Sequence, residues 1–245
     1  MTLPATIPNH YSAPMPRPFH ILCLLTLSSI LAFSQTEAEA PAVVTFSLDF
    51  PASQPKHYSI RVQSDGSARY QSSGSLPADS DETNSRDNDN DNGNDSFDLD
   101  FTLAVGTRQK IFQLAAKAGY FQKDVDSHHK GLAFTGKKTL SYKDAQRRGE
   151  STYNYSTIPA VQELTSLMQS LAATLEFGHR LQYDRHYQKL ALDEELKRME
   201  EMARTNQLVD VTAIQPILDQ IVADPSVINV TRARAQRLLE RAGVH

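Results

Sequence analysis

Val43-Val44-Thr45-Phe46-Ser47-Leu48-Asp49-Phe50 decides the fold class of this chain. Val44, Phe46, Leu48 and Phe50 fall on one side and Thr45, Ser47 and Asp49 on the other, the period-two pattern of a strand with one face in a core and the other in water. The pattern returns in Tyr58-Ser59-Ile60-Arg61-Val62, stops at Ser64-Asp65-Gly66-Ser67 and resumes in Ala68-Arg69-Tyr70. An Asp-Gly pair supplies the positive φ that a tight turn needs, so the two runs predict an antiparallel hairpin.

Working outward, alternation reappears at Phe97, Leu99, Phe101, Leu103 and Val105. Thr107 then predicts the cap of a helix with the stripe Ile111, Phe112, Leu114, Ala115 and Ala118, and Gly119 predicts its end. Leu132-Ala133-Phe134 and Thr139-Leu140-Ser141-Tyr142 predict strands around a turn at Thr135 to Lys138, and Tyr153 and Tyr155 mark another over 151–155. Past Thr157 and Pro159, a cap and a first-turn proline, the period becomes helical at Val161, Leu164, Leu167, Met168, Leu171 and Leu175. A second stripe runs through Leu190, Leu192, Leu196, Met199 and Met202, with Asp193-Glu194-Glu195-Lys197-Arg198 as its solvated charged face. Ile214, Ile217, Leu218 and Ile221 mark a third helix. Asp224-Pro225-Ser226 breaks it before a fourth, carrying Val227, Val230, Ala233, Leu238 and Leu239 and ending at Gly243. The expected class is α+β. An antiparallel sheet domain with one packed helix occupies 35–157, and an all-helical region over 158–245 packs on the sheet or forms its own small bundle.

Two segments stand outside this pattern. Residues 72–96 are almost wholly Ser, Asp, Asn and Gly and read as a disordered, low-complexity insert, since they bury too little to offset their ordering entropy. At the other end, a charge-poor leader ends in Arg17, and the short apolar run from Ile21 to Phe33 exits through small residues: the three parts of a secretory signal peptide over 1–34. The run is too short for a spanning helix, so cleavage is expected, with no stable membrane anchor afterwards. Export, to the periplasm or the medium, is the expectation. Cleavage would remove Cys23, the sole cysteine, leaving a disulfide-free protein whose stability rests on a packed core. The net charge, −4 for the whole chain and −5 once Arg17 is lost, argues against a nucleic-acid partner.

Several patterns approach chemical motifs. Asp87, Asp89, Asp91 and Asp95 alternate with asparagines beside Gly93, which makes them calcium candidates, because a hard cation takes oxygen ligands. The EF-hand spacing fails: Asn92 intervenes before the glycine, or else Leu99 falls where the bidentate glutamate belongs. Gly131-Leu132-Ala133-Phe134-Thr135-Gly136-Lys137-Lys138 nearly spells a phosphate loop, but Lys138 replaces the Ser or Thr that binds magnesium, and strand rather than helix follows. His179 and His186 share a helix face and His128-His129 adjoin Asp126, yet neither set has zinc spacing, and all read as surface histidines. No nucleophile elbow, cysteine nucleophile or matched pair of buried carboxylates is visible, so no cofactor and no catalytic residue is assigned.

Tyr58-Ser59-Ile60-Arg61-Val62, Asp65-Gly66 and Tyr70, with the strand at Phe101, the helix at Thr107 and Thr135-Gly136-Lys137-Lys138-Thr139-Leu140, resemble an uncharacterised family of exported bacterial proteins, a domain of unknown function. The resemblance implies an exported α+β domain and carries no active residues to transfer. Ile214-x-x-Ile217-Leu218, Asp224-Pro225-Ser226-Val227 and Arg232-Ala233-x-Ala235-x-x-Leu238-Leu239 are similar to a single HEAT-type helical hairpin. One such repeat cannot stabilise itself and is expected to pack on the preceding helices. The functional expectation is a non-enzymatic binding module of the bacterial envelope, with another envelope protein or a surface polymer as partner. The alternative is a secreted hydrolase whose site is assembled only in the fold.

Overall fold

A computed structural model of the chain describes residues 40–74 and 96–243. The leader over 1–34 and the calcium candidates Asp87, Asp89, Asp91 and Asp95 lie outside the described residues. The strands are β1 (Val43–Asp49), β2 (His57–Gln63), β3 (Ser67–Ser73), β4 (Ser96–Thr102), β5 (Lys137–Lys143) and β6 (Arg148–Tyr153). They pair antiparallel in the order β4-β3-β2-β1-β5-β6. After the four-stranded meander the chain crosses through α1 (Val105–Lys117) and a short 3₁₀ turn (Gly119–Phe121), then adds β5 and β6 beyond β1. Helices α2 (Pro159–Tyr187), α3 (Ala191–Arg204), α4 (Gln215–Ala223) and α5 (Asn229–Arg241) complete an α+β fold.

Register explains which side chains meet the helices. Three cross-strand rows point inward: Leu99-Tyr70-Ile60-Phe46-Leu140-Ser151, Phe101-Ala68-Val62-Val44-Tyr142-Gly149 and Phe97-Ser72-Tyr58-Leu48-Lys138-Tyr153. From β3 to β6 these rows are buried, while Arg61, Arg69 and Gln71 on the other face are exposed. A slip of one residue would exchange the two faces, so the hydrophobic alternation fixes the pairing. Onto the inner face α2 lays Val161, Leu164, Met168, Leu171 and Leu175, all fully buried. A continuous core from Val44 to Leu239 joins the sheet to the helical region, which is therefore not a separate bundle.

The structure departs from the sequence reading where backbone or distant partners override composition. Ser72, Ser73 and Ser96 belong to β3 and β4 rather than to the insert, because ladder bonds use the backbone and ignore side-chain polarity. Leu132-Ala133-Phe134 is not a strand, and Thr135 to Lys138 is not a hairpin turn. The Asn154 side chain takes that role, accepting from the Thr135 N–H at 2.9 Å and donating to the Ala133 carbonyl at 3.0 Å. Strand β4 stops at Thr102 and α1 begins at Val105 without a Thr107 cap; the Ala104 N–H instead donates to Asp210 Oδ2 at 2.8 Å, a partner 106 residues away. Tyr155 lies beyond β6, and Ile158, not Thr157, precedes the first turn of α2. Leu190 is exposed ahead of α3. The charged face of α3 is solvated at Glu194, Lys197 and Arg198, but Glu195 pairs with Arg180 of α2 at 3.0 Å, and Asp193 and Glu200 pair with Arg234 of α5 at 2.9 and 2.5 Å. On α5 the buried stripe is Thr231, Ala235, Leu238 and Leu239, leaving Val230 and Ala233 outside.

Gly149 shows how tightly the 3₁₀ turn is laid on the sheet. A β-carbon there would stand 2.2 Å from the Tyr120 carbonyl oxygen and 2.8 Å from the Gln122 nitrogen, both backbone atoms that cannot swing away. Gly149→Ala is expected to destabilise the fold by about 3 kcal/mol, the upper part of the usual overpacking range, measured by urea denaturation. A second expectation concerns Asp184, buried on α2. Burial, reinforced by Glu195 and opposed by Arg180, raises its carboxyl pKa from 3.8 to about 6. Between those values the native chain holds a proton that the unfolded chain has released. This contribution is full below about 4 and is lost as pH rises through about 6. Asp184→Asn should therefore flatten the fall in melting temperature between pH 4.5 and 7.5; an unchanged slope would refute the assignment.

Candidate functional site

Strand β4, Ser96-Phe97-Asp98-Leu99-Asp100-Phe101-Thr102, forms one edge of the sheet. Leu103 N–H donates to the Gly66 carbonyl at 3.0 Å. By the alternation of an antiparallel ladder, Phe97, Leu99 and Phe101 then spend their backbone bonds on β3, and those of Asp98 and Asp100 face outward. Among the described residues no strand pairs with that outer edge. The inward side chains of β4 are also incompletely covered: Phe97, Leu99 and Phe101 are half-buried, whereas their row neighbours on β3 are buried.

Under this edge lies a cleft of about 570 Å³. Phe97, Leu99 and Phe101 make one wall, Gly178, Gln182 and His186 of α2 the second, and residues from Thr212 to Gln220 the third. Gly178 lets the third wall approach, since a β-carbon there would stand 2.6 Å from Ile214 Cγ2. Asp219 lines the cleft, Asp100 borders it with its carboxylate turned to the outer face of the sheet, and no lysine or arginine lines it. On the outer face Arg69 bonds Asp98 and reaches Asp100 at 3.8 Å, and Gln71 donates to Asp98 at 3.1 Å. These contacts, the Arg69 bond first, hold the Asp98 carboxyl below its ordinary range.

Behind the cleft sits a polar cluster in the core. Tyr70 Oη donates to Glu176 Oε1 at 2.6 Å, and His179 Nδ1 stands 3.8 Å from Glu176 Oε2. Burial and the Glu176 charge push the Tyr70 hydroxyl pKa far upward, so it stays a donor at any ordinary pH. The His179 ring is stacked on Phe97, with centroids 4.2 Å apart and planes inclined by 7°. Phe97 lines the cleft and His179 does not, so on this side the ring covers the imidazole, while Glu176 borders a separate pocket lined by Ser53, Pro55 and Arg180. The pair can position Phe97. It is not presented to a solute in the cleft.

His186 is exposed and lines the cleft, whereas His179 is not the surface histidine that spacing alone suggests. His128 is exposed and bonded to Asp124 at 2.7 Å, which raises its pKa. Among the described residues no three His, Cys, Asp or Glu side chains are grouped to hold a metal ion. The near phosphate loop leads into β5, and Lys138 turns inward. Glu176 and Tyr70 were legible only as intrusions, a carboxylate beside Leu175 on the apolar stripe of α2 and a phenol on the apolar face of β3. Sequence could not show that the two meet. No family model matches this chain, and no curated protein is significantly similar to it.

Tyr70→Phe would strip a donor from a buried carboxylate and should cost about 1–3 kcal/mol in chemical denaturation, the price of an unsatisfied buried group. Stability unchanged within experimental error would show that the bond does not anchor the cluster.

Proposed function

We propose that this protein is an exported, non-enzymatic interaction module of the bacterial envelope that takes an extended segment of a partner polypeptide onto the free edge of β4. The observation that carries this reading is the coincidence of a strand edge that pairs with no other strand among the described residues with half-covered Phe97, Leu99 and Phe101 over a cleft. Strand addition uses both: the edge supplies main-chain hydrogen bonds, and alternate side chains of the incoming segment drop into the cleft. The hydrolase alternative would need Glu176 and His179 together at one surface; His179 is stacked behind Phe97 at this cleft, and Glu176 borders a different pocket.

Charge indicates the kind of segment. Ser96-Phe97-Asp98-Leu99-Asp100-Phe101-Thr102 is nearly palindromic about Leu99, so antiparallel pairing with a second copy would set Asp98 against Asp100. Like charges directly opposite destabilise a pair, and charged edges are a common guard against self-association. A partner strand carrying Lys or Arg opposite these aspartates, alternating with apolar residues, suits both the outer face and the largely apolar cleft wall of Phe97, Leu99 and Phe101.

A labelled peptide, Ac-Gly-Lys-Val-Lys-Phe-Lys-Val-Lys-Gly, should bind the full chain in fluorescence anisotropy, and the same peptide with Glu for Lys should not. The double substitution Asp98→Lys and Asp100→Lys should weaken the basic peptide by at least about tenfold, the effect of reversing desolvated charge pairs. Equal binding of both peptides, or no binding of either, would sink the proposal.

A further inference from the structure

At the other side of the sheet, Lys138 occupies a position where a lysine is rarely found. It sits on the core face of β5 between Leu48 of β1 and Tyr153 of β6, and it is only 5 % exposed. The three N–H groups of its ammonium are shared among four oxygens: Thr135 Oγ1 at 2.9 Å, the Asn154 carbonyl at 3.0 Å, the Thr135 carbonyl at 3.2 Å and the Gly136 carbonyl at 3.3 Å. All four are neutral. They solvate the cation but none compensates its charge, and burial lowers the pKa of the amine below its ordinary value.

Lys138 also lines a cleft of about 370 Å³ between the end of β6 and the first turns of α2. The rest of the lining is uncharged: hydroxyls and amides, among them Ser156, Gln162, Ser166 and Gln169, with no Asp or Glu. Gln162 Nε2 is held at the mouth by the Tyr155 hydroxyl at 2.9 Å and the Ser156 carbonyl at 2.8 Å. Tyr155 leaves nearly half of its surface to solvent beside them. A buried cation with no ion-pair partner among the described residues, at a cleft whose other lining residues are neutral, gives a local positive potential that low-dielectric walls concentrate.

We infer that this cleft is a binding site for a monoanionic sugar, a uronate or a sulfate ester within an acidic polysaccharide. One ammonium matches a single negative charge, and the cleft offers no arginine fork for a phosphate dianion. The amides and hydroxyls suit sugar hydroxyls, and the exposed Tyr155 ring offers a flat apolar face to a pyranose. The site is independent of the β4 edge, which lies at the opposite margin of the sheet.

Titration of the full chain by calorimetry would use trigalacturonic acid, its methyl-ester form and a sulfated galactose trisaccharide. The acid or the sulfated sugar should bind at least about tenfold more tightly than the ester, through charge attraction to an ammonium whose N–H groups keep their present oxygen partners. Ser166→Glu would place a carboxylate at an exposed position in the cleft without touching the four bonds of Lys138. It should abolish the preference at an unchanged melting temperature, whereas Lys138→Met removes the charge and also orphans its oxygen partners. Equal affinity for acid, sulfate and ester, full binding by Ser166→Glu, or no binding of any of the three sugars would overturn the inference.

Discussion

The hydrogen bond from Tyr70 to Glu176 ties the inner face of β3 to the long helix α2, and much of the remaining architecture is arranged around it. A carboxylate buried in a core is tolerated only with donors in place, so the bond fixes both the rotation of α2 and its position along the sheet. Once Glu176 faces Tyr70, the helical repeat sends Leu171 and Leu175 into the core and brings His179 to the Phe97 ring. Gly178 is then beside Ile214, and α4 can close on α2.

The same placement leaves the two margins of the sheet unlike. Toward β4 the carboxyl half of α2 and the segment around Ile214 leave a gap, so Phe97, Leu99 and Phe101 stay partly uncovered beside an unpaired edge. Toward β6 the sheet is closed by the loop that Asn154 and Lys138 pin together through oxygen atoms of Thr135, Gly136 and Asn154. One margin is apolar with carboxylates at its rim, and the other holds a buried cation among neutral groups. Both properties follow from a sheet covered by helices on one face only.

Alternation made β1, β2, β3 and β5 readable because each lies in the interior of a sheet with one wet face, where side-chain period and burial coincide. The apolar stripe of α2 was readable for the same reason. Reading failed where hydrogen bonds from remote residues took over local roles: Asp210 in place of a Thr107 cap, and Asn154 in place of a strand partner for Leu132 to Phe134. On α3 the charged face is solvated at Glu194, Lys197 and Arg198, whereas Asp193 and Glu195 are taken up by Arg234 and Arg180 from other helices. Residue types alone do not reveal a partner 35 or 100 positions away.

The class of the fold, the faces of its strands and the stripe of its main helix are legible in the chain alone, because they depend on periodicities that a chain carries locally. Only the tertiary structure decided that β4 is an edge, that Glu176 meets Tyr70, that His179 stands behind Phe97 and that Lys138 points inward at a cleft without an acid. Strand order and helix placement are set by the joint packing of the whole core. The chemistry of both margins depends on that order, so it is absent from any single segment.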